Sequence, residues 1–338
     1  MQKKNPAKRR PERLVVTLLS LLFLSTAVFA TVKYVFRAPE LDTDKPVVTP
    51  DGTATSADAD RTDTDEPDAP GRTRRKYCYN ILVSGLDDDN GGSDTNILVR
   101  FDVPNKRIDL VSLPRDTLLH NEYRNNKLNF AYAKGGTELL MEQIENLLGI
   151  PVDFYVTVNL KGFIALVDQI DGVDFDIPIN MDYDDPYQDL HIHFTKGPRH
   201  LNGQEAMEVV RFRHNNDGTG YGTEDIGRIG TQQAFLKAVA KQLLQVGKVK
   251  NIPALVDIFY TYVKTDLTTG NLVWLGNEAL NIGTENIHFA TLPGDGSGYY
   301  NKQSVYVLDA QATCDLVNEA LNPYNEALTL EDMDILVP

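Results

Sequence analysis

Three arginines, Arg211, Arg213 and Arg228, lie close together in a chain whose formal net charge is −15 at pH 7. A loop rich in glycine, asparagine and aspartate separates the first two from the third, with Asp225 just before Arg228 and Gln232 just after it. A planar guanidinium group can bind two phosphate oxygens at once, so several of them together suit a phosphate or another dianion. The sequence therefore predicts an anion-binding site here.

A helix is predicted to begin near Gly230 and to run through residues 231–246, where apolar residues follow one stripe. Its first N–H groups and the positive end of its dipole would lie beside Arg228 and would also favour an anion. Taken alone, Arg211 and Arg213 have a simpler interpretation as surface ion-pair partners of nearby acidic residues. A second group of residues upstream favours the anion site instead.

That second group lies in an acidic, glycine-rich loop between two predicted strands, residues 81–85 and 96–101. The loop contains Asp87 and Asp94. Carboxylates on such a loop are hard oxygen ligands that suit Mg²⁺ or Ca²⁺. The spacing does not fit an EF-hand, because the position of its ligand glutamate falls on Leu98. A solvated acidic hairpin is the alternative interpretation of the loop.

A third predicted strand, residues 107–113, leads directly into Pro114-Arg115-Asp116, and Lys127 follows further along. Helices and strands then alternate to the end of the chain, which favours a sheet covered by helices on both faces. We interpret residues 294–298 as a turn. The further strands are predicted at residues 152–158, 173–177, 286–290 and 304–309, and the helices at 137–148, 162–170, 205–210, 253–262, 272–280 and 311–321.

The amino end predicts an exported protein. Residues 1–13 form a basic tail, and residues 14–36 are apolar over a length that spans a bilayer core. The basic tail predicts a cytoplasmic N-terminus and hence a single-pass transmembrane helix with the rest of the chain outside the cell membrane. A cleaved signal peptide ending at Ala30 is the alternative, although the apolar stretch continues past that residue.

Residues 37–75 are rich in Asp, Thr, Ala and Pro and contain few large apolar residues, so we expect a disordered acidic linker. Residues 76–338 are long enough for one large extracellular domain with a substantial core. Cys78 and Cys314 are its 2 cysteines and could form a disulfide in an exported protein or remain two thiols.

His191 and His193 lie two residues apart on a predicted strand. We interpret the pair as part of a surface strand rather than as a metal site.

Several of these pieces occur in one order between residues 80 and 244, and together they resemble the LytR-CpsA-Psr family of cell-envelope proteins. The likeness extends more weakly through a C-terminal extension, residues 245–338. The chain departs from the family pattern at two places. The family usually carries an arginine where this chain has Thr231, and many members carry an arginine in the loop after Asp87, which this chain lacks. The motifs are Ser93-Asp94-Thr95, Pro114-Arg115-Asp116, residues 127–132, 172–178, 201–206 and 211–214, and Gly227-Arg228-Ile229.

The resemblance implies an α/β fold, a three-layer α-β-α sandwich with a mixed central sheet. It also implies a phosphotransferase that moves a glycopolymer from a polyprenyl-pyrophosphate carrier to peptidoglycan and releases polyprenyl phosphate. Which polymer is moved, whether teichoic acid, capsule or another glycan, stays open. By the same resemblance, Asp87 and Asp94 hold Mg²⁺, Arg115, Arg211, Arg213 and Arg228 bind the pyrophosphate with Lys127 and Gln232 as further donors, and Asp225 orients an arginine or acts as a base.

Other functions fit parts of this pattern. A hydrolase of lipid pyrophosphates needs the same site with water as the acceptor, and a non-catalytic regulator needs only to bind polyprenyl phosphates or an envelope polymer. The acidic balance and the predicted anchor disfavour a nucleic-acid partner. An apolar tunnel for the lipid is expected between sheet and helices. Leu139, Ile144, Leu147, Phe163 and Phe235 could line it, with core packing as the simpler interpretation of each.

Overall fold

The computed structural model describes residues 36–41, 47–48, 54–55, 72–86, 92–121, 123, 125–187, 189–222, 224–243 and 252–338. The strands of this part of the chain are β1 (Val47–Val48), β2 (Ala54–Thr55), β3 (Cys78–Leu86), β4 (Ser93–Asp102), β5 (Arg107–Leu113), β6 (Phe154–Asn159), β7 (Val173–Ile177), β8 (Met181–Asp185), β9 (Leu190–Phe194), β10 (Gly197–Leu201), β11 (Val263–Thr265), β12 (Ile287–Thr291), β13 (Gly294–Tyr300) and β14 (Gln303–Leu308).

Helices are interleaved with runs of these strands. Gly149 ends the first of them in the left-handed conformation, with φ 65°, which a glycine adopts without a steric penalty. The helices are α1 (Leu128–Leu148), which kinks at Gly135-Gly136, α2 (Leu160–Gln169), α3 (Gly203–Arg211), α4 (Glu224–Leu243), α5 (Ile252–Tyr262), α6 (Thr269–Ile282) and α7 (Ala310–Ala320), with short 3₁₀ turns at Thr284–Asn286 and Leu330–Asp332.

Six strands form a mixed central sheet in the order β11-β6-β3-β4-β5-β12. Strand β4 is antiparallel to both β3 and β5, whereas β6 is parallel to β3 and β12 is parallel to β5. One end of the sheet, which we call the site end, therefore combines the end of β3 at Leu86, the start of β4 at Ser93 and the end of β5 at Leu113. The opposite end, where β3 begins at Cys78 and β5 at Arg107, is the far end.

Helices cover both faces of this sheet, which confirms the predicted mixed α/β architecture. Because side chains alternate along a strand, neighbours on β3 face opposite layers. Leu82 packs in one buried cluster with Ile144 of α1 and Val317 of α7. Ile81 belongs to another cluster, which includes Leu275 of α6.

A third buried cluster lies beside the sheet, where the two-stranded antiparallel sheet β7–β10 and the hairpin β8–β9 pack with α2, α3 and α4. Phe235 of α4 is 1% exposed at its centre, with its ring 5.7 Å from that of Phe163 and 5.5 Å from that of Phe175. Phe235 is therefore core packing, and so are Ile144 and Leu147 of α1, which are 0% and 1% exposed. These residues hold layers together rather than line an open tunnel.

Two local predictions are wrong. Helix α4 begins at Glu224, so Gly230 lies inside the helix and its N–H group is not at a free helix start. Residues 294–298 belong to strand β13, which pairs with β14 and carries a bulge between Asp295 and Gly298. The chain reverses instead at Asn301 and Lys302, whose φ values are 48° and 65°.

The part of the chain that the structure describes contains no helix long and apolar enough to cross a membrane. Of the predicted span, residues 14–36, only Phe36 is described, and the basic tail lies outside the described residues. Within the predicted linker, residues 37–41 lie against the domain. The Tyr79 hydroxyl donates to the Pro39 carbonyl oxygen at 3.0 Å, and Asn271 Nδ2 donates to the Arg37 carbonyl oxygen at 3.0 Å.

Cys78 and Cys314 are two free thiols, both buried, and do not form the disulfide that their number allowed. Burial raises the pKa of the Cys78 thiol to about 11 and also raises the pKa of Cys314. Both thiols are therefore protonated at neutral pH and behave as small apolar side chains of the core.

Candidate active site

A cavity of about 310 Å³ opens at the site end of the sheet. Six of the nine residues predicted for the site meet there, although they come from four separate parts of the chain. They are Asp94, Arg115, Arg211, Arg213, Arg228 and Gln232, and the remaining lining is Gly85, Leu86, Thr95, Leu160, Tyr183, Leu190, Val210 and His214.

Arg115 links the two strand ends that form the floor of the cavity. Its Nη1 atom donates a short hydrogen bond to Oδ1 of Asp94, at the start of β4. Its Nε atom lies 3.6 Å from Oδ1 of Asp116, and Lys127 Nζ lies 3.3 Å from Oδ2 of the same carboxylate. Lys127 does not line the cavity, because it lies behind Asp116. The shared carboxylate reduces the repulsion between the two cations and holds both near the site.

The turn after β5 fixes this arrangement. Thr117 donates from its backbone N–H to the Pro114 carbonyl oxygen at 3.0 Å, and its hydroxyl donates to the same oxygen at 2.7 Å. The Arg115 carbonyl oxygen in turn accepts from the N–H of Asn129, in the first turn of α1, at 2.9 Å. Arg115 is therefore attached both to the sheet and to a helix, which limits the positions its guanidinium group can reach.

Helix α4 places Arg228 and Gln232 on the other side of the cavity. Arg228 is 7% exposed and is the most deeply buried arginine of the site. Gln232 Nε2 donates to the Val210 carbonyl oxygen at 3.0 Å, which ties α4 to the last turn of α3. Gly227 is required here, because a Cβ atom at this position would lie 2.2 Å from Cβ of Tyr221.

Gln233 anchors the same helix to the sheet, a role that sequence reasoning missed. Its Nε2 atom lies within hydrogen-bonding distance of Ser112 Oγ at 3.1 Å, the Ala290 carbonyl oxygen at 2.7 Å and Thr291 Oγ1 at 2.9 Å. Its two protons thus reach acceptors on both β5 and β12. The adjacent pair Gln232-Gln233 in the sequence was the available signal, but only the fold shows that the two amides point to different partners.

Helix α3 carries the first two arginines to the cavity. Asn202 and Glu205 form a capping box that sets where the helix begins, and the helix ends at Arg211. Phe212 is 1% exposed and packs against Tyr221 at 5.6 Å between ring centroids, so the two flanking arginines leave the core on either side of it. Arg213 is exposed, and no carboxylate of the described residues lies within ion-pair distance of it.

Thr231, where the resemblance leads us to expect an arginine, does not line the cavity. It is 5% exposed, and its hydroxyl lies 2.9 Å from the Tyr221 hydroxyl oxygen and 3.1 Å from the Gly227 carbonyl oxygen. The side chain therefore packs α4 against the segment after Arg213. This position supports the helix rather than contacting a bound anion directly.

The last two predicted site residues are Asp87 and Asp225. Asp87 lies outside the described residues, and the side chain of Asp225, within α4, is likewise not described. Asp94 remains as a candidate Mg²⁺ ligand, and the chemistry of the site fits that ion. Mg²⁺ is commonly held by one or two carboxylates together with waters and phosphate oxygens. Arg115 uses Oδ1 of Asp94, and no donor among the described residues reaches Oδ2.

A smaller cavity of about 50 Å³ continues from the first, because Asp94, Thr95, Arg115, Arg228 and Gln232 line both. It lies between the sheet, helix α4 and the hairpin β13–β14. Its further lining is mainly apolar and includes Ile97, Leu113, Ile229, Leu236 and Val305. The charged cavity is thus next to a narrow apolar cavity. The residues expected to line a lipid tunnel, Leu139, Ile144, Leu147, Phe163 and Phe235, are not part of its lining.

The protein is thus a mixed α/β protein with an arginine-rich cavity at one end of its sheet, a carboxylate in that cavity and an apolar extension, and guanidinium groups in such numbers suit an anionic ligand. The chain belongs to the LytR_cpsA_psr family, whose sequence profile matches residues 48–322. The resemblance seen in the motifs is thereby confirmed.

Two relatives carry names that state an activity. The chain is 31% identical over 252 residues to the polyisoprenyl-teichoic acid–peptidoglycan teichoic acid transferase TagV of Bacillus subtilis (strain 168), covering 71% of this chain and 62% of TagV. It is 32% identical over 244 residues to the transferase of the same description, TagU, of Bacillus cereus, covering 71% of this chain and 76% of TagU. The match thus spans less than two thirds of TagV.

Another relative and a solved structure complete the comparison. The regulatory protein MsrR of Staphylococcus aureus (strain COL) is 31% identical over 219 residues, which cover 63% of this chain and 64% of MsrR. The crystal structure of B. subtilis TagV superposes with a TM-score of 0.62 at 26% identity, covering 78% of this chain and 100% of that chain. The fold is therefore shared as well as the sequence.

Proposed function

We propose that this protein is an Mg²⁺-dependent phosphotransferase that moves a glycopolymer from a polyprenyl-pyrophosphate carrier to peptidoglycan and releases polyprenyl phosphate. The observation that carries the proposal is the convergence of Asp94, Arg115, Arg211, Arg213 and Arg228 on one cavity. The names of the TagV and TagU relatives support the same substrate class. The location we propose is the cell membrane, with a single span at residues 14–36 and the catalytic domain on the cell-wall side.

The proposed reaction makes one phosphorus–oxygen bond and breaks another. A hydroxyl oxygen of the peptidoglycan acceptor attacks the phosphorus that carries the glycan, and its proton leaves to a base. The bond from that phosphorus to the bridging oxygen breaks, and polyprenyl phosphate departs with the electron pair. Such a transfer needs positioning and charge stabilisation more than covalent help from the protein.

The arginines of the cavity supply both requirements. The pyrophosphate brings about two negative charges, and guanidinium groups bind such oxygens in fixed geometry. Arg115 follows β5 and Arg228 lies on α4, and both line the cavity, so together they can bind oxygens of one pyrophosphate. When bound at Asp94 and Asp87, Mg²⁺ would neutralise further charge on the pyrophosphate. Asp225 would orient an arginine or accept the acceptor's proton.

The adjoining apolar cavity supports a lipid-linked substrate. Ile97, Leu113, Ile229, Leu236 and Val305 line it directly beside Arg115 and Arg228. A polyprenyl chain entering there would place its phosphate at the arginines and its apolar part between the sheet and α4.

Regulation without catalysis is the second candidate, since the MsrR relative is named a regulatory protein. A regulator needs the arginines to bind polyprenyl phosphate but does not need a base or an acceptor. A hydrolase would differ only in using water as the acceptor. The three functions therefore predict different products from one substrate.

The test uses the full-length chain in lipid vesicles, a synthetic polyprenyl-pyrophosphate sugar and Mg²⁺, with and without peptidoglycan fragments. Release of polyprenyl phosphate that requires the fragments, with sugar phosphate attached to them, is the expected result. Release without fragments would establish a hydrolase, and tight lipid binding without release would establish a binder. Arg107→Ala, which changes an arginine at the far end, is the matched control and is expected to stay active.

A further inference from the structure

The hairpin β8–β9 carries a cluster of metal-ligating side chains on its outer face. His191 and His193 lie on β9, and Asp184 lies on β8 directly opposite His191. One ligand atom from each of the three lies within 4.8 Å of the other two. His191 Nδ1 lies 2.5 Å from Asp184 Oδ1, and His193 Nε2 lies 3.4 Å from the same oxygen. It is the one such group of three found in the described part of the chain.

Two further carboxylates hold the imidazole rings from behind. His193 Nδ1 lies 2.8 Å from Asp182 Oδ1, which leaves Nε2 of that ring facing Asp184. His191 Nε2 lies 3.7 Å from Asp189 Oδ1, on the other side of the ring from Asp184. Histidines that bind metals commonly donate their second N–H group to a carboxylate, which fixes the tautomer and the ring orientation. His193 has that second partner in Asp182 at hydrogen-bonding distance, whereas Asp189 lies within ion-pair distance of His191.

We propose that Asp184, His191 and His193 form a binding site for a transition-metal dication of the zinc class. Two imidazoles and one carboxylate are a ligand set that Zn²⁺ accepts, with water in the remaining positions. Metal–ligand distances of about 2.0–2.2 Å place neighbouring ligand atoms roughly 3.3 Å apart, so small side-chain movements close the present cluster around an ion. Mg²⁺ prefers oxygen ligands, which separates this site from the one at Asp94.

The site is connected to the arginine segment through the backbone of β8. The Asp184 N–H donates to Asn216 Oδ1 at 2.6 Å, and Asn216 Nδ2 donates back to the Asp184 carbonyl oxygen at 3.1 Å. The Asp182 N–H donates to Asn215 Oδ1 at 2.7 Å. Asn215 and Asn216 follow Arg213-His214 directly. A metal ion that holds β8 to β9 would therefore also stabilise the loop that carries Arg213.

The other face of the same hairpin contributes to the large cavity. Tyr183 and Leu190 line that cavity, and the Tyr183 ring contacts the His214 ring edge-on at 5.7 Å. Side chains alternate between faces along a strand, so the metal cluster and the cavity lining are two faces of one element. The proposed ion would be a structural support for one wall of the site.

The test measures binding of Zn²⁺ alone to the untagged full-length chain, stripped with a chelator and studied at pH 8 by calorimetry. Hydrogen bonds to Asp184 and Asp182 raise the pKa of His191 and His193 respectively, so alkaline conditions keep protons from competing. We expect one ion per chain and a melting temperature that rises with added Zn²⁺. His193→Ala is expected to weaken the affinity at least about tenfold.

His200 provides a matched control. It is an exposed histidine on β10, and its Nδ1 atom lies 2.7 Å from Asp174 Oδ1 on the paired strand β7. His200→Ala removes a similar ion pair but no proposed ligand, and it is expected to bind Zn²⁺ like the unaltered chain. Circular dichroism of metal-free His193→Ala checks that the variant is folded. No binding by the unaltered chain, or equal binding by folded His193→Ala, would overturn the proposal.

This site is independent of the proposed transferase reaction. Arg228→Ala is expected to lose transfer and to keep its Zn²⁺ affinity, because the arginine is not a ligand. Co²⁺ bound in place of Zn²⁺ gives a second measurement, since its visible spectrum reports nitrogen and oxygen ligands. A spectrum that is the same for the unaltered chain and for His193→Ala would contradict the assignment even if some metal binds.

Discussion

The two ends of the central sheet both carry several arginines, but different partners face them. At the far end, each arginine lies against a carboxylate of the protein that is itself mostly buried. At the site end, Arg115 lies against Asp94 and Asp116, whose side chains are 40% and 29% exposed, and Arg213 is exposed with no carboxylate of the described residues at ion-pair distance. The far-end pairs are Arg74–Asp153 at 2.5 Å, Arg75–Asp102 at 2.7 Å, Arg100–Asp109 at 2.7 Å and Arg107–Asp109 at 2.7 Å.

This difference separates arginines that pair with buried carboxylates of the fold from arginines that line a cavity. The far-end pairs connect the segment at residues 72–76 to the starts and ends of strands, so their charges are balanced within the fold. At the site end, Arg115, Arg211, Arg213 and Arg228 line one cavity, and Asp94 is the carboxylate of its described lining. In a chain with a net charge of −15, four arginines around one cavity favour an anionic ligand.

The largest effect on stability is expected at the far end, for Arg74→Ala. The Arg74 and Asp153 side chains are 10% and 7% exposed, so the change leaves a buried carboxylate without its guanidinium partner. We expect the free energy of unfolding to fall by about 3–5 kcal/mol, measured by urea denaturation. The exposed pair Arg37–Glu40 provides the control, because Arg37→Ala removes an ion pair that is worth little in solvent. Equal losses in the two variants would contradict the distinction.

At the site end, Arg115→Ala and Arg228→Ala are expected to affect the reaction rather than the fold. Each removes a guanidinium group that would stabilise charge developing in the transition state. We expect kcat/KM for transfer to fall by about 10²–10³-fold. The melting temperature serves as the check that each variant is folded. Unfolding of both variants, with no defect in the folded fraction, would make these arginines structural like those of the far end.

Asp94→Ala tests the carboxylate of the site. Its loss removes a proposed Mg²⁺ ligand and also the acceptor for Arg115 Nη1. Transfer is expected to fall by about 10²-fold, in line with the several kcal/mol that a metal ion supplies to charge stabilisation. Asp94→Asn is the second variant to measure, because asparagine keeps the shape of the aspartate side chain and one of its two oxygens. An Mg²⁺ titration that is unchanged in both variants would reject the assignment of Asp94 as a ligand.

The smallest effect is expected for Thr231→Val. The substitution keeps the size of the side chain and removes the hydrogen bonds near Tyr221 and Gly227. We expect a loss of about 1 kcal/mol in the free energy of unfolding and little change in KM, since Thr231 does not line the cavity. A large rise in KM with unchanged stability would instead place Thr231 in contact with the substrate.

Local sequence patterns gave most of the elements but failed where tertiary contacts override them. The start of α4 was predicted too late because Gly227 and Gly230 are poor helix formers. In the fold, Gly227 is needed for close packing against Tyr221, and Thr231 bonds to the same tyrosine, so the helix extends back to Glu224. Strand β13 was taken for a turn for a similar reason, since its glycines pair with β14 only after the hairpin has formed.

The order of the motifs indicated the family, and the sequence profile confirms it. The sequence also supplied the types of residues that line the site, because guanidinium and carboxylate chemistry depends on side-chain identity. The sequence could not show that Lys127 lies behind Asp116, or that Gln233 rather than Gln232 reaches the sheet. These outcomes depend on directions and distances that spacing along the chain does not contain.

By itself, then, the sequence determined two things. Its apolar patterns located most of the strands and helices, and its side-chain types identified the residues that can bind an anion. Tertiary structure decided which of those residues meet. Asp94 and Arg115 become neighbours because β4 runs antiparallel to β5, and Arg228 joins them because α4 crosses the same end of the sheet. Asp184 and His191 are paired by the register of a hairpin in the same way. Strand register follows from which face is buried and from turn geometry, so these side chains meet only when the strands have paired.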